Sequence, residues 1–181
     1  MNPGQGAETN QDIARTLRRR AQSLAQPVVQ CRDPDEVLDV LEFRLAQERY
    51  AVETRFVREV LALGDLTPLP CTPAFILGII NVRGHILPVI DLKRLFELPE
   101  EGLTDLHRVI VLQDNDLSFG LLADVTVEVR SLDTALLQPG LPTLSGIRSE
   151  YLRGVTAEQL VVLDAARILR DPKIVVHDDV N

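Results

Sequence analysis

The sequence has no tryptophan, two cysteines, three histidines and 4% aromatic residues, and each scarcity excludes a class of chemistry. Cys31 and Cys71 stand forty positions apart with no second Cys or His at metal-ligand spacing, so a zinc site has no support and both read as free thiols. His85, His107 and His177 form no i, i+4 pair and none lies near a cysteine, so each reads as a surface or turn residue. The glycine patterns of nucleotide cradles and the G-x-S-x-G of hydrolase elbows are missing, and no metal, cofactor or catalytic residue is expected. No apolar run approaches the roughly 18 residues of a spanning helix. The first thirty residues lack the apolar centre of an export signal, so the expected compartment is the cytoplasm, without direct membrane insertion. Positive charge is short as well: the net charge is −8 and the pI about 4.9. Residues 1–30 hold Arg15, Arg18, Arg19 and Arg20 against Glu8 and Asp12, a balance of +2 that leaves −10 for the remainder. A surface of that sign does not neutralise phosphates, so nucleic acid is not an expected partner.

What is present is a chain of 181 residues, 45% hydrophobic, enough to bury a core without metal or disulfide. Ile13, Leu17, Ala21 and Leu24 fall at helical spacing between Gln11 and Gln26, with the arginines on the opposite face and Pro27 as a stop. From Val40 the period becomes two: Leu41, Phe43 and Leu45 alternate with Glu42, Arg44 and Ala46, the pattern of a half-buried strand. Apolar runs continue from Tyr50 to Leu63, and "GDLTPLPCTP" from Gly64 breaks them. Gly78 to Asp91 reads as a hairpin with Gly84 at positive φ in its turn. Pro88, which cannot donate to a ladder, marks an edge or a bulge. A charged linker follows over 97–106. Alternation restarts at Val109 and Val111, continues through Leu117 and Phe119 to about Leu132, and ends in a strand pair between Leu152 and Asp164. Short strands at intervals of about ten residues predict an all-β barrel or sandwich. Asp91 and Asp164, each at a strand end before a helical turn, read as N-caps; an acid–base role for them is the enzyme reading.

The chain also repeats. A shift of 69 lays Tyr50–Leu63 on Phe119–Leu132, matching Glu59 to Glu128 and Val60 to Val129. Shifts of 76 and 73 then lay Gly78 on Gly154 and Asp91 on Asp164, with the order preserved. Two similar barrels follow from this: an N-terminal extension over 1–36, a first half over 37–96, a second over 107–170, strands exchanged between halves as an option, and a tail over 171–181.

At Thr72–Phe96, "TPAFILGIINVRGHILPVIDLKRLF" resembles the signature region of the CheW chemotaxis adaptor family, with Pro-x-x-x-x-Gly, Asn-x-Arg-Gly and Pro-x-x-Asp-Leu elements in order. The flanks from Phe43, from Arg108 and from Tyr151 are similar too, so the likeness runs from about Val37 to Leu169. It implies two five-stranded SH3-like β-barrels and a non-catalytic adaptor. The implied partners are the cytoplasmic tips of chemoreceptors and the regulatory domain of a CheA-type histidine kinase. By motif, Arg83 and Gly84, with Asn81 beside them, match the pair implicated in kinase control. Glu59 and Val60 match a kinase-contacting acidic-apolar pair, and Gly78 a glycine of close approach. Gly120 and Val129 match positions of receptor binding in the groove between barrels. The extension of nearly forty residues with its arginines departs from the family pattern and puts partner choice in doubt. A scaffold of a non-flagellar chemosensory pathway, or a kinase regulatory module on its own, are the alternative expectations.

Overall fold

The computed structural model describes residues 37–99, 106–115, 117–139 and 147–174, all within one unit spanning Pro34–Asn181. The helix expected over 11–26 lies outside these residues. The strands are β1 (Val37–Leu45), β2 (Glu48–Glu53), β3 (Val57–Ala62), β4 (Ile76–Val82), β5 (His85–Ile90), β6 (Arg108–Asp114), β7 (Leu117–Ala123), β8 (Val125–Asp133), β9 (Leu152–Val155) and β10 (Leu160–Leu163). Among the described residues three short α-helices accompany them: α1 (Leu92–Leu95), α2 (Ile147–Glu150) and α3 (Ala165–Arg170). Among the described residues no helix is long and apolar enough to cross a membrane.

The strands form two five-stranded sheets, ordered β8-β1-β2-β10-β9 (sheet A) and β3-β6-β7-β5-β4 (sheet B). Under the sequence repeat β6 stands for β1, β7 for β2, β8 for β3, β9 for β4 and β10 for β5, and the two orders become identical. Each sheet takes two strands from one half of the sequence and three from the other. The division at 97–106 is therefore one of sequence and not of sheets: β1 and β2 pair with strands of the second half, and β6 and β7 with strands of the first. Each sheet then curls on itself. Thr67, beyond β3, forms an antiparallel bridge to Ile79 on β4, and Gln138, beyond β8, forms one to Val155 on β9. These bridges tie the two edges of each sheet together and give both a barrel-like form.

Strand exchange leaves β1, β2, β6 and β7 with apolar residues on both faces. On β1, Leu38 and Val40 point into sheet A, where they meet Ala51, Leu132, Leu160 and Val162. Leu41, Phe43 and Leu45 point the other way, into a cluster shared with Ile110, Leu112, Phe119 and Leu121 of sheet B. Val109, Val111, Leu122, Val89, Leu87 and Ile80 fill sheet B from within. The shared cluster is also where the few aromatics gather: Phe43, Tyr50, Phe96 and Tyr151 stand in a row with successive centroids 6.2 Å apart. Such contacts add roughly 0.5–1.5 kcal/mol per pair beyond area burial.

The alternation read as half-buried is thus corrected at Glu42, which is 2% exposed. Arg49 Nε lies 2.7 Å and Arg130 Nη1 3.5 Å from its carboxylate. The hydrogen bond from Arg49, reinforced by the charges of Arg49 and Arg130, holds the Glu42 carboxyl below the usual carboxylate range against the opposing effect of burial. Pro88 is a second correction, because β5 is an inner strand; its parallel pairing with β7 starts only at Val89, and the bulge lies on β4 between Ile76 and Gly78. His107, expected at a surface or turn, is 3% exposed. Asp91 and Asp164 do cap their helices, accepting the Lys93 N–H at 2.8 Å and the Arg167 N–H at 3.0 Å.

Candidate partner-binding site

The β4–β5 ladder closes on Val82 and His85, so Arg83 and Gly84 alone make the turn. Their φ angles are +54° and +89°, the two left-handed residues of a type I′ hairpin. Gly84 adopts this conformation freely and has open space around it, whereas Arg83 bears a Cβ penalty of about 1 kcal/mol. Two contacts hold the arginine in place. The Asn81 Oδ1 accepts the Gly84 N–H at 2.8 Å, and Arg83 Nη2 lies 3.0 Å from Glu59 Oε2 on β3. The Arg83 side chain is 75% exposed and that of Glu59 17%. The pair therefore presents a guanidinium to solvent from a base anchored on the barrel, with donors left over for an incoming carboxylate.

Two exposed apolar residues lie on the strands that carry this pair. Val60, the next residue on β3, is exposed, and so is Ile86, which lies across the ladder from Asn81. Ile86 was not singled out by sequence reasoning; its alternation with the buried Leu87 is the signal that could have found it. Gly78 sits behind the hairpin at φ +148°, where an added Cβ would stand 2.2 Å from the Thr67 carbonyl oxygen. This is the close backbone approach at the bridge that closes sheet B.

The remaining expected residues lie elsewhere. Val129 is on β8, the edge of sheet A, and is 64% exposed; Val125 and Val127 of the same strand are exposed too, but the bulge between them and Val129 breaks the alternation. Across the ladder it faces Leu41, and Val60 faces Ile110, so the two repeat-related valines both flank the cluster shared by the sheets. Gly120 presents no surface. It is buried in sheet B, where an added Cβ would stand 2.5 Å from Val109 Cγ1; any effect it has on binding passes through packing. Glu59, Asn81, Arg83 and Gly84 are brought together, and Gly120 and Val129 are not part of that cluster.

The family model described as CheW-like domain matches residues 39–173. The chain is 29% identical over 147 residues to the chemotaxis protein CheW of Treponema pallidum, covering 77% of this chain and 86% of that protein. It is 38% identical over 114 residues to Protein FrzA of Myxococcus xanthus, covering 62% and 70%. Among solved structures it resembles the scaffolding protein TtCheW of Thermoanaerobacter tengcongensis, with a TM-score of 0.63 and 32% identity over 70% of this chain and 83% of that one. The chain belongs to the CheW-like domain family, and one solved structure it resembles is that of a scaffolding protein.

Proposed function

We propose that the chain is a non-catalytic signal-transduction adaptor that couples chemoreceptors to a CheA-type histidine kinase, working in the cytoplasm at receptor arrays. The observation that carries this reading is the Glu59–Arg83 pair, held on a two-residue hairpin beside exposed Val60 and Ile86 in a domain of this family. A turn fixed by Asn81 needs little further ordering when a partner docks, which favours affinity. An exposed guanidinium selects an acidic partner surface and speeds encounter. In this reading Arg83, Gly84, Asn81, Glu59 and Val60 face the kinase regulatory domain and Val129 faces the receptor, while Gly78 and Gly120 keep the barrel in shape. Asp91 and Asp164 serve as caps and do no acid–base chemistry.

The decisive experiment is a pull-down against receptor and kinase, followed by receptor-dependent autophosphorylation with Arg83→Glu. Retained receptor binding with activation reduced at least about tenfold supports the reading. Unchanged activation by the variant removes Arg83 from the site, and capture of neither partner removes the adaptor role. The 38% identity to Protein FrzA favours a second reading, a scaffold of a non-flagellar chemosensory pathway; the receptor that the chain captures separates the two.

A further inference from the structure

The chain passes between the two sheets twice at strand ends that lie close in sequence, and the two joints are built differently. β2 leads into β3 through Thr54–Phe56, whereas β7 leads into β8 through Asp124 alone. On the sheet A side, the Asp124 N–H donates to the Arg44 carbonyl at 3.0 Å, and Oδ2 accepts the Ala46 N–H of the β1–β2 turn at 2.6 Å. Oδ1 faces the sheet B side, 2.5 Å from Lys93 Nζ on α1, the helix that follows β5, and 3.0 Å from His107 Nε2 at the start of β6. Lys93 is 1% and His107 3% exposed. Arg108 stands beside them, its guanidinium donating to the His107 carbonyl at 3.0 Å. At the other joint the buried Glu53 pairs with Arg153 of β9 and with Arg55 of the joint itself, a set that does not reach sheet B.

We propose that Asp124, paired with Lys93 and with His107 Nε2 beside it, is a charged clamp that fixes the angle between the two sheets. It is thereby a positioning residue for any partner that touches both the β3 edge at Val60 and the β8 edge at Val129. The physical ground is the difference between the two kinds of contact at this joint. The shared apolar cluster resists separation of the sheets but is non-directional. Short charge-assisted bonds are directional, and a buried ammonium keeps its one carboxylate close because leaving it unpaired is costly. A one-residue crossing is the place where a small rotation moves the two edges most relative to each other. The consequence for docking rests on the adaptor reading; the clamp itself does not.

The test uses the full chain with Cys31 and Cys71 replaced by Ser and spin labels at Arg58→Cys on β3 and Glu128→Cys on β8, both exposed positions. The intact clamp gives one narrow distance distribution. Lys93→Met combined with Asp124→Asn keeps the apolar stem and an acceptor for the Ala46 N–H while removing the charge link, and the distribution becomes about twice as wide. Asp124→Glu keeps Lys93 paired but lengthens the clamp by one methylene, and the mean distance shifts. The parent distribution in whichever of these variants folds overturns the clamp. If the distances change while the affinities for receptor and kinase stay at parent values, the positioning role is overturned. That outcome is distinct from failure of the adaptor reading, in which the parent binds neither.

Discussion

Where sheet B buries Val111, the repeat places Glu42 in sheet A, and both are fully enclosed. Around Val111 the interior is aliphatic: Ile80, Leu87, Val89, Val109 and Leu122. Around Glu42 stand Arg49 and Arg130, and Arg130 reaches on to Glu158 at 3.2 Å in the β9–β10 turn. The exposed edges differ in the same spirit. In sheet B the edge strand supplies the acid, Glu59, and the hairpin the base, Arg83. In sheet A the edge strand supplies the base, Arg130, and the hairpin the acid, Glu158. One backbone plan thus tolerates opposite charge arrangements, because strand order and curvature depend on apolar alternation and on the bridges that close each barrel, while the ion pairs occupy positions the plan leaves open.

Exchanging the fillings breaks the comparison most severely. Val111→Glu places a carboxylate where no cation waits, and a loss of about 4 kcal/mol or more is expected, read as collapse of the urea transition. The closing glycines come next. Gly78→Ala sets a Cβ 2.2 Å from the Thr67 carbonyl at positive φ, whereas its counterpart Gly154 meets the Gln138 carbonyl at 2.9 Å. Gly78→Ala should cost roughly 3 kcal/mol and Gly154→Ala roughly 1, compared by thermal melts. Equal costs would mean that the two bridges are equally tight.

Glu42→Gln sharpens the contrast through pH, with a cost of roughly 2 kcal/mol at neutrality for the lost charged hydrogen bonds. Because the folded-state pKa of Glu42 is depressed, its stabilisation is present above the ordinary carboxylate range and is lost as pH falls through the folded value. Glu42→Gln should therefore flatten the acid limb of a stability–pH profile, and an unaltered slope would show that other carboxylates govern it. Gly84→Ala, at φ +89° with open space around it, should cost only about 1 kcal/mol. Arg83→Glu comes last, changing stability by less than about 0.5 kcal/mol because its pair is exposed; a larger loss in the melt would make the hairpin pair structural.

Much of this architecture is legible along the chain. Period-two runs locate the strands, Asn81-Val82-Arg83-Gly84 locates the hairpin, and the repeat announces two like units. Its local chemistry holds: Asp91 and Asp164 cap, and Gly84 takes positive φ. Sequence reasoning misses the residues whose environment comes from strands distant in the chain. Glu42 reads as solvent-facing because its neighbours alternate, and it is enclosed because β8 and β10 of the other half arrive beside β1 and β2. His107 reads as a surface or turn residue and is buried, its Nε2 3.0 Å from Asp124 of the β7–β8 joint. Gly120 reads as a contact position and lies against Val109.

The sequence by itself determined that this chain is built from short strands, twice over, with a charged hairpin, because period and turn residues act locally. Only the tertiary structure decided which strands share a sheet, which charges are sealed inside, and that Glu59 meets Arg83. Those outcomes depend on β pairing between residues far apart in the chain, and alternation fixes which face a side chain takes without naming the strand that will cover it.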